Sequence, residues 1–322
     1  MNHRQNNKKA AAYLRRGFLY LTVFSILVLM FLFPKTAANG AKNGLVLWAQ
    51  TLLPILLPFL ILSSLLIKLR LTRPFTVFLG PVFTRIFPIS AKACYPLVLG
   101  LLCGMPLGAK TTAELYRLGQ ISERDAMFLL GFSNQASMMF LVSYVATKEL
   151  NVPHCAIFVL IVLYSSALVS TVLFILPKHY RATPQKAQET AESTAVLSFF
   201  PALDACIPES FATITRVGGY VILFSMLSSF VCALALPAAP SALTSGLLEI
   251  TSGIQQIRMT GLASAQKTAL TLGVTAFGGL SGLMQTKSVT LGTGLSMRYY
   301  AFVKLMQGIL AYVLTLVLLS LL

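Results

Sequence analysis

"LLCGMPLGAKTT" occupies Leu101 to Thr112, and its reading decides the fold. Glycines, a proline, a lysine and paired hydroxyls give it the look of a phosphate cradle. A P-loop needs four residues between its first glycine and an adjoining Gly-Lys pair. Here only Met105, Pro106 and Leu107 separate Gly104 from Gly108, and Ala109 intrudes before Lys110. A P-loop also follows a buried strand of a soluble sheet, whereas this chain is apolar almost from end to end. The stretch therefore reads as a Gly/Pro break with a lysine beside it, set inside a membrane, and ATP drive is not expected.

The 322 residues are 56% hydrophobic and 11% charged, with mean hydropathy +0.78. That is more apolar surface than a soluble core of this size can hide. The expected fold class is all-α, a polytopic integral membrane protein whose constant partner is the lipid bilayer. A helix needs about 20 apolar residues to cross the hydrocarbon layer. Stretches that read as spans are Gly17 to Phe33, Leu45 to Ile67, Ala126 to Ala146, Cys155 to Leu176, Val217 to Leu236, Thr268 to Leu291 and Tyr299 to Leu322, about seven full transmembrane helices. Residues 1–33 also fit a signal peptide, but the length of the apolar run and the spans that follow favour a retained helix.

A net charge of +16 would suggest nucleic acid in a soluble domain. Here the basic residues gather in particular loops, as orientation signals do, so no nucleic-acid partner is expected. Arg4, Lys8, Lys9, Arg15 and Arg16 precede the first span without an acid among them, which places the N-terminus in the cytoplasm. Following the chain, Lys68, Arg70, Arg73, Arg85, Lys92, Arg117, Arg124, Lys178, Arg181, Lys186, Arg216 and Arg298 fall inside. Lys35, Lys42, Lys148, Arg258 and Lys267 fall outside. The pattern holds only if two apolar segments, Cys94 to Leu118 and Leu243 to Gln256, dip in and return to the side they came from. The cysteines are scattered and the histidines isolated, so no metal site is expected.

From Ala93 to Cys103 a helix would extend about 16 Å, half of the hydrocarbon thickness of about 30 Å. Gly104, Pro106 and Gly108 then interrupt it, and the chain returns through Glu114 and Arg117 to a basic loop, as a re-entrant hairpin does. The second half echoes the first. "GLLCGMPLG" (Gly100 to Gly108) is answered by "GLLEITSG" (Gly246 to Gly253), and "LLGFSNQASMM" (Leu129 to Met139) by "TLGVTAFGGLSGLM" (Thr271 to Met284), each about 145 residues on; "LPFLILSSLL" (Leu57 to Leu66) is answered by "GYVILFSMLSSF" (Gly219 to Phe230). The loop charges bring the two hairpins in from opposite sides, which makes these inverted internal repeats, an arrangement that secondary transporters use. The expected organisation is residues 1–44 as basic N-terminus and first helix, 45–176 as first repeat, 177–200 as cytoplasmic linker, and 201–322 as second repeat and last helix. Arg73 to Ser90 reads as interfacial helix.

Candidate site residues sit on the hairpins and on the Gly/Ser-rich spans that follow them. Gly104, Pro106 and Gly108 shape the first tip. Lys110 either aims at an anionic group of a ligand or neutralises Glu114 four residues on. Glu249 is the only acid after Glu209 and has no basic residue before Arg258. It marks a pathway, where acids in membrane segments usually sit, or is solvated near an interface. Thr251, Gln255 and the neighbouring Ser252 and Gln256 add hydrogen-bonding capacity. Asn134, Gln135 and Ser137 lie in one span, Ser281 and Gln285 in another; they are packing glue between helices or, because they fall at equivalent repeat positions, the wall of one site. Glu249 is expected to face Asn134, Ser137, Ser281 and Gln285 across a shared cavity.

The stretches "LLPILLPFLILSSLL", "GMPLGAKTTAELYRLGQISERDAMFLLGFSNQAS", "GLLEITSGIQQI" and "AFGGLSGLMQT" are similar to the sporulation integral membrane protein YlbJ family, whose members carry a nucleoside-recognition or Gate domain. The resemblance runs from about Leu45 to Leu310. More distantly the same order resembles concentrative nucleoside transporters, in which a Gly-Gln-Thr-Glu-Ala-Pro hairpin holds the base and a later glutamate and helix hold the ribose. Here Gly104, Met105, Pro106 and Leu107 replace the first motif, Glu249 falls where the ribose-contacting glutamate would be, Ser281 is kept, and Gln285 resembles a glutamine of the later helix. The resemblance implies a transporter-like protein of a bacterial inner or sporulation-associated membrane. It would bind or move a small polar solute, which a nucleoside exemplifies. The alternative is a non-transporting scaffold for spore envelope or cortex assembly. No enzyme is expected, since no nucleophile, base and orienter come together. No cofactor is expected either; a coupling ion such as Na+ or H+ and a homo-oligomer are left open.

Overall fold

The computed structural model describes residues 2–150, 156–175, 177, 198–234 and 236–321. These form helices and, among the described residues, no strand, as hydrocarbon requires of a backbone that finds no water to bond. The expected all-α membrane class is therefore observed. The Pro177 to Thr194 part of the linker lies, apart from residue 177, outside the described residues.

Helix α1 (Asn2–Leu32) leads into α2 (Pro34–Lys68), which opens on a proline whose missing N–H would have had no helical partner. α2 lies along α10 (Phe199–Ala233). Small residues make this possible. A Cβ on Gly40 would come 2.5 Å from Ser229 Oγ, and one on Gly44 2.7 Å from Ile222 Cα, so the Gly-x-x-x-Gly pair lets the helices touch along their backbones. Trp48 covers Gly218 and donates its Nε1–H to the Ile214 carbonyl at 2.9 Å. Leu56 and Leu60 pack with Ile214, Val217 and Val221. The observed helix starts eleven or so residues before the expected Leu45, because residues 34–44 are too rich in Ala, Gly and Asn to read as apolar yet still pack on α10.

Short helices α3 (Arg73–Phe78) and α4 (Gly80–Ile86) follow in place of one interfacial helix. The chain bends by 103° between Gly80–Ile86 and Ala91–Cys103. Then come α5 (Cys94–Cys103) and α6 (Leu107–Arg117), packed against one another across the Gly104–Pro106 break. α7 (Glu123–Phe132) begins at a capping box formed by Ser122 and Asp125. It stops at Ser133, and the π-helical α8 (Phe140–Glu149) resumes beyond it. After α9 (Ala156–Ile175) and α10, the pattern returns in α11 (Ala238–Leu248), α12 (Ile250–Met259), α13 (Ser264–Phe277), α14 (Gly279–Val289) and α15 (Met297–Leu321).

Continuous helices long and apolar enough to cross a membrane are α2, α9, α10 and α15 among the described residues, or five spans if the bent pair is one. Of the other expected spans, Gly17 to Phe33 lies almost wholly in α1. The spans expected over Ala126 to Ala146 and Thr268 to Leu291 are each broken. The first breaks at Ser133–Ser137, where the Ser133 hydroxyl donates to the Leu129 carbonyl and the Gln135 amide to those of Gly131 and Phe132. The second breaks at Gly278, which adopts φ 87°, a left-handed value that glycine reaches without strain.

α15 shows which way these helices face. Phe302, Leu305, Ile309, Val313 and Val317 are exposed at spacings of three and four, while Tyr300, Lys304, Gln307 and Thr315 are buried on the opposite side. Apolar outside and polar inside is the sorting expected of a helix solvated by lipid.

Candidate functional site

The first tip is built by glycines. Gly104, at φ 70°, ends α5, and a Cβ there would lie 2.5 Å from Ser137 N and 2.6 Å from the Gln135 carbonyl. Met105 N donates to that same carbonyl at 2.7 Å. The tip therefore docks backbone to backbone on the break that ends α7. α6 can fold back along α5 because a Cβ on Gly108 would come 2.7 Å from Gly100 Cα. Pro106 is buried and occupies the N-cap of α6.

The second tip repeats the device with a different break residue. A Cβ on Gly253 would lie 2.0 Å from Gly246 Cα, so α11 and α12 also cross at paired glycines. Between them Glu249 is extended, at φ −145° and ψ 127°, and caps α12. One carboxylate oxygen accepts from Thr251 N at 3.1 Å and the other from Ser252 N at 2.8 Å, with the Thr251 hydroxyl also donating to it. Glu249 is buried, at 5% exposure, and its charge faces the positive end of α12. Its Cα would stand 3.5 Å from a Cβ on Gly279, at the break between α13 and α14.

Both tips and both broken helices meet. Met105 reaches the second break, where a Cβ on Gly282 would come 2.8 Å from its Sδ and one on Gly278 3.3 Å from its Cε. Asn134 donates to Thr286 Oγ1 at 2.9 Å and to Tyr300 Oη at 2.8 Å, and its Oδ1 is buried without a hydrogen-bond partner. Gln135 donates to the Gly131 carbonyl at 3.0 Å and to Gln307 Oε1 at 3.1 Å, and accepts from Lys304 Nζ at 2.7 Å. Gln307 in turn donates to the Gly131 carbonyl at 2.7 Å. Gln285 donates to Ser281 Oγ at 3.0 Å, and Ser137 Oγ accepts from Phe140 N at 3.2 Å.

The structure thus gathers Gly104, Met105, Asn134, Gln135, Ser137, Glu249 and the Gly278–Gly282 segment, but through other bonds than those expected. Glu249 bonds to its own helix, and Asn134 bonds to α14 and α15. Gln255 is exposed and donates to Tyr144 Oη at 3.3 Å on the edge of the assembly. Lys110 turns away from the tip. Its Nζ donates to Ser64 Oγ at 2.8 Å and pairs with Glu114 at 3.7 Å and Glu209 at 3.6 Å, while Lys68 also bonds Glu209 at 3.1 Å. Lys110, Glu114 and Glu209 line a cleft of about 210 Å³ together with Arg117, Arg216 and Ser288.

Sequence reasoning missed Tyr300, Lys304 and Gln307. A signal was present: Lys304 is the only charge after Arg298, inside an otherwise apolar run, and Tyr300 and Gln307 share its helical face. An ionisable group so placed is a functional candidate by default. Its flanking apolar residues concealed it.

Residues 49–178 match the Gate family, described as nucleoside recognition; the match covers the first tip, the first break and α9. The chain is 26% identical over 315 residues to the sporulation integral membrane protein YlbJ of Bacillus subtilis (strain 168), an alignment covering 87% of this chain and 77% of that protein. No solved structure matches.

Proposed function

We propose that this Gate-containing membrane protein, similar to YlbJ, binds a small polar solute where its two tips and two broken helices meet, and moves it across a membrane during sporulation. The carrying observation is the repeated glycine crossing, Gly100 with Gly108 and Gly246 with Gly253, each placing a helix break against a second break. Broken backbone at membrane depth is tolerated where it is buried in protein or lines a wet cavity, and half-helices around a central site are a transporter device. On this reading α5–α6 and α11–α12 are re-entrant hairpins of inverted repeats. Side-to-side contacts support that. Arg117, assigned by charge to the cytoplasmic side, donates to the Val289 and Leu291 carbonyls, which end the span that leads to Arg298, assigned to the same side. Arg258 pairs with Glu149 at 3.6 Å, both assigned to the outside.

Glu249 and Asn134 would be the solute contacts. A carboxylate has about four acceptor directions. Three are used within α12, so a solute hydroxyl has one to bond, while Asn134 Oδ1 has no partner at all. A solute rich in hydroxyl or N–H donors, a nucleoside among them, fits both.

The second reading is a static scaffold for spore envelope or cortex assembly. It is favoured by the closed bonding of Gln135, Gln307 and Lys304 among themselves. Spore formation by cells carrying Glu249→Gln at the native locus separates the two. The transport reading expects loss of spores with the protein still inserted. The scaffold reading expects normal numbers.

A further inference from the structure

We propose that the Lys304 ammonium is a resident cation, occupying the place between the two broken helices where a coupling Na+ would otherwise bind and so making the protein independent of Na+. The inference rests on the solute-site reading above.

Lys304 is 1% exposed, and no carboxylate among the described residues pairs with it. Its hydrogen bond goes to Gln135 Oε1 at 2.7 Å. Gln135 passes that contact on to the last turn of α7, donating to the carbonyls of Gly131 and Phe132. The lysine's own stem lies against the other broken helix, since a Cβ on Gly278, the C-cap of α13, would be 3.5 Å from Lys304 Cε. Contact there is enforced one turn away, where a Cβ on Gly273 would be 3.2 Å from the Gly308 carbonyl. The ammonium therefore bonds a side chain held on the C-terminal end of α7, and the stem that carries it lies against the C-terminal end of α13. Both are negative ends of peptide dipoles. In transporters built on broken helices, such ends and their unwound carbonyls hold Na+ or H+. A charged lysine inside a membrane is costly without compensation. With no acid paired to it, the two helix ends supply that compensation.

The test uses the purified full chain in detergent, without any solute. Binding of 22Na+ is measured by scintillation proximity. Melting temperature is read in choline chloride and in NaCl at equal ionic strength, for the wild type, Lys304→Met and Lys304→Arg. The wild type and Lys304→Arg should bind no 22Na+ saturably and melt alike in both salts. Lys304→Met, with the charge gone and the length kept, should melt several degrees lower in choline and recover in Na+ or Li+, which enter the vacated place. Saturable 22Na+ binding by the wild type overturns the proposal, as does a Lys304→Met protein as stable in choline as the wild type. If Lys304→Met does not accumulate, the wild-type binding measurement decides alone: saturable binding overturns the proposal and none upholds it. Because no solute is involved, a Na+-binding wild type would leave the solute site standing. An empty solute screen would sink that site without touching this result.

Discussion

Gly253 and Gly246 cross so closely that a Cβ on the former would lie 2.0 Å from the Cα of the latter. No real Cβ makes such a contact, and the obstacle is backbone, which cannot rotate aside as a side chain can. Gly253→Ala should therefore pry α12 from α11 and lower stability by about 1–3 kcal/mol or more, the range for overpacked interiors. Gly108→Ala should act in the same direction at the first tip. Gly219→Ala, where nothing lies within 4 Å, should be neutral. Melting temperature of detergent-purified protein reads all three.

Asn134 ties α14 to α15 by donating to Thr286 and Tyr300. Asn134→Ala leaves two buried hydroxyls without that donor, and a cost of about 1–3 kcal/mol follows. Asn134→Asp should be worse, because the carboxylate offers no N–H and adds a buried charge. A thermal melt in which Asn134→Asp matches the wild type would show that this network is solvated.

The membrane orientation can be read by single-cysteine labelling in a cysteine-free background. Cysteines at Lys148 or Arg258 should react with an impermeant maleimide from outside. Cysteines at Arg117 or Lys287, and in the Pro177 to Thr194 linker, should react only after permeabilisation. Labelling of the linker from outside would undo the orientation and the inversion together.

Much of this was legible in the sequence, and the reasons differ by residue. Gly104, Pro106 and Gly108 announced a break because glycine and proline punctuate helices whatever surrounds them. The echo of Gly100 and Gly108 in Gly246 and Gly253 carried the matching crossings, since a close approach of backbones leaves room for no other residue. The bonding partners were not legible. Glu249 turns onto Thr251 and Ser252 because an acid beside the free N–H groups of a helix start is captured locally. Lys110 is drawn to Ser64 and Glu209, which lie far from it in the chain and reach it only through the packing of α2 and α10. Lys304 was visible as a letter but not as a neighbour of Gln135, since that contact spans 169 residues.

The central claim is that a small polar solute binds at the meeting of the four breaks. A melting-temperature screen of the purified wild type and Glu249→Gln against a panel of nucleosides and other small polar metabolites tests it most directly. Glutamine keeps the length and one acceptor but loses the charge. The account predicts that at least one solute raises the melting temperature of the wild type in a saturable way and leaves Glu249→Gln unmoved, although that variant is folded. A solute that stabilises both proteins equally, or a panel that stabilises neither, would contradict it.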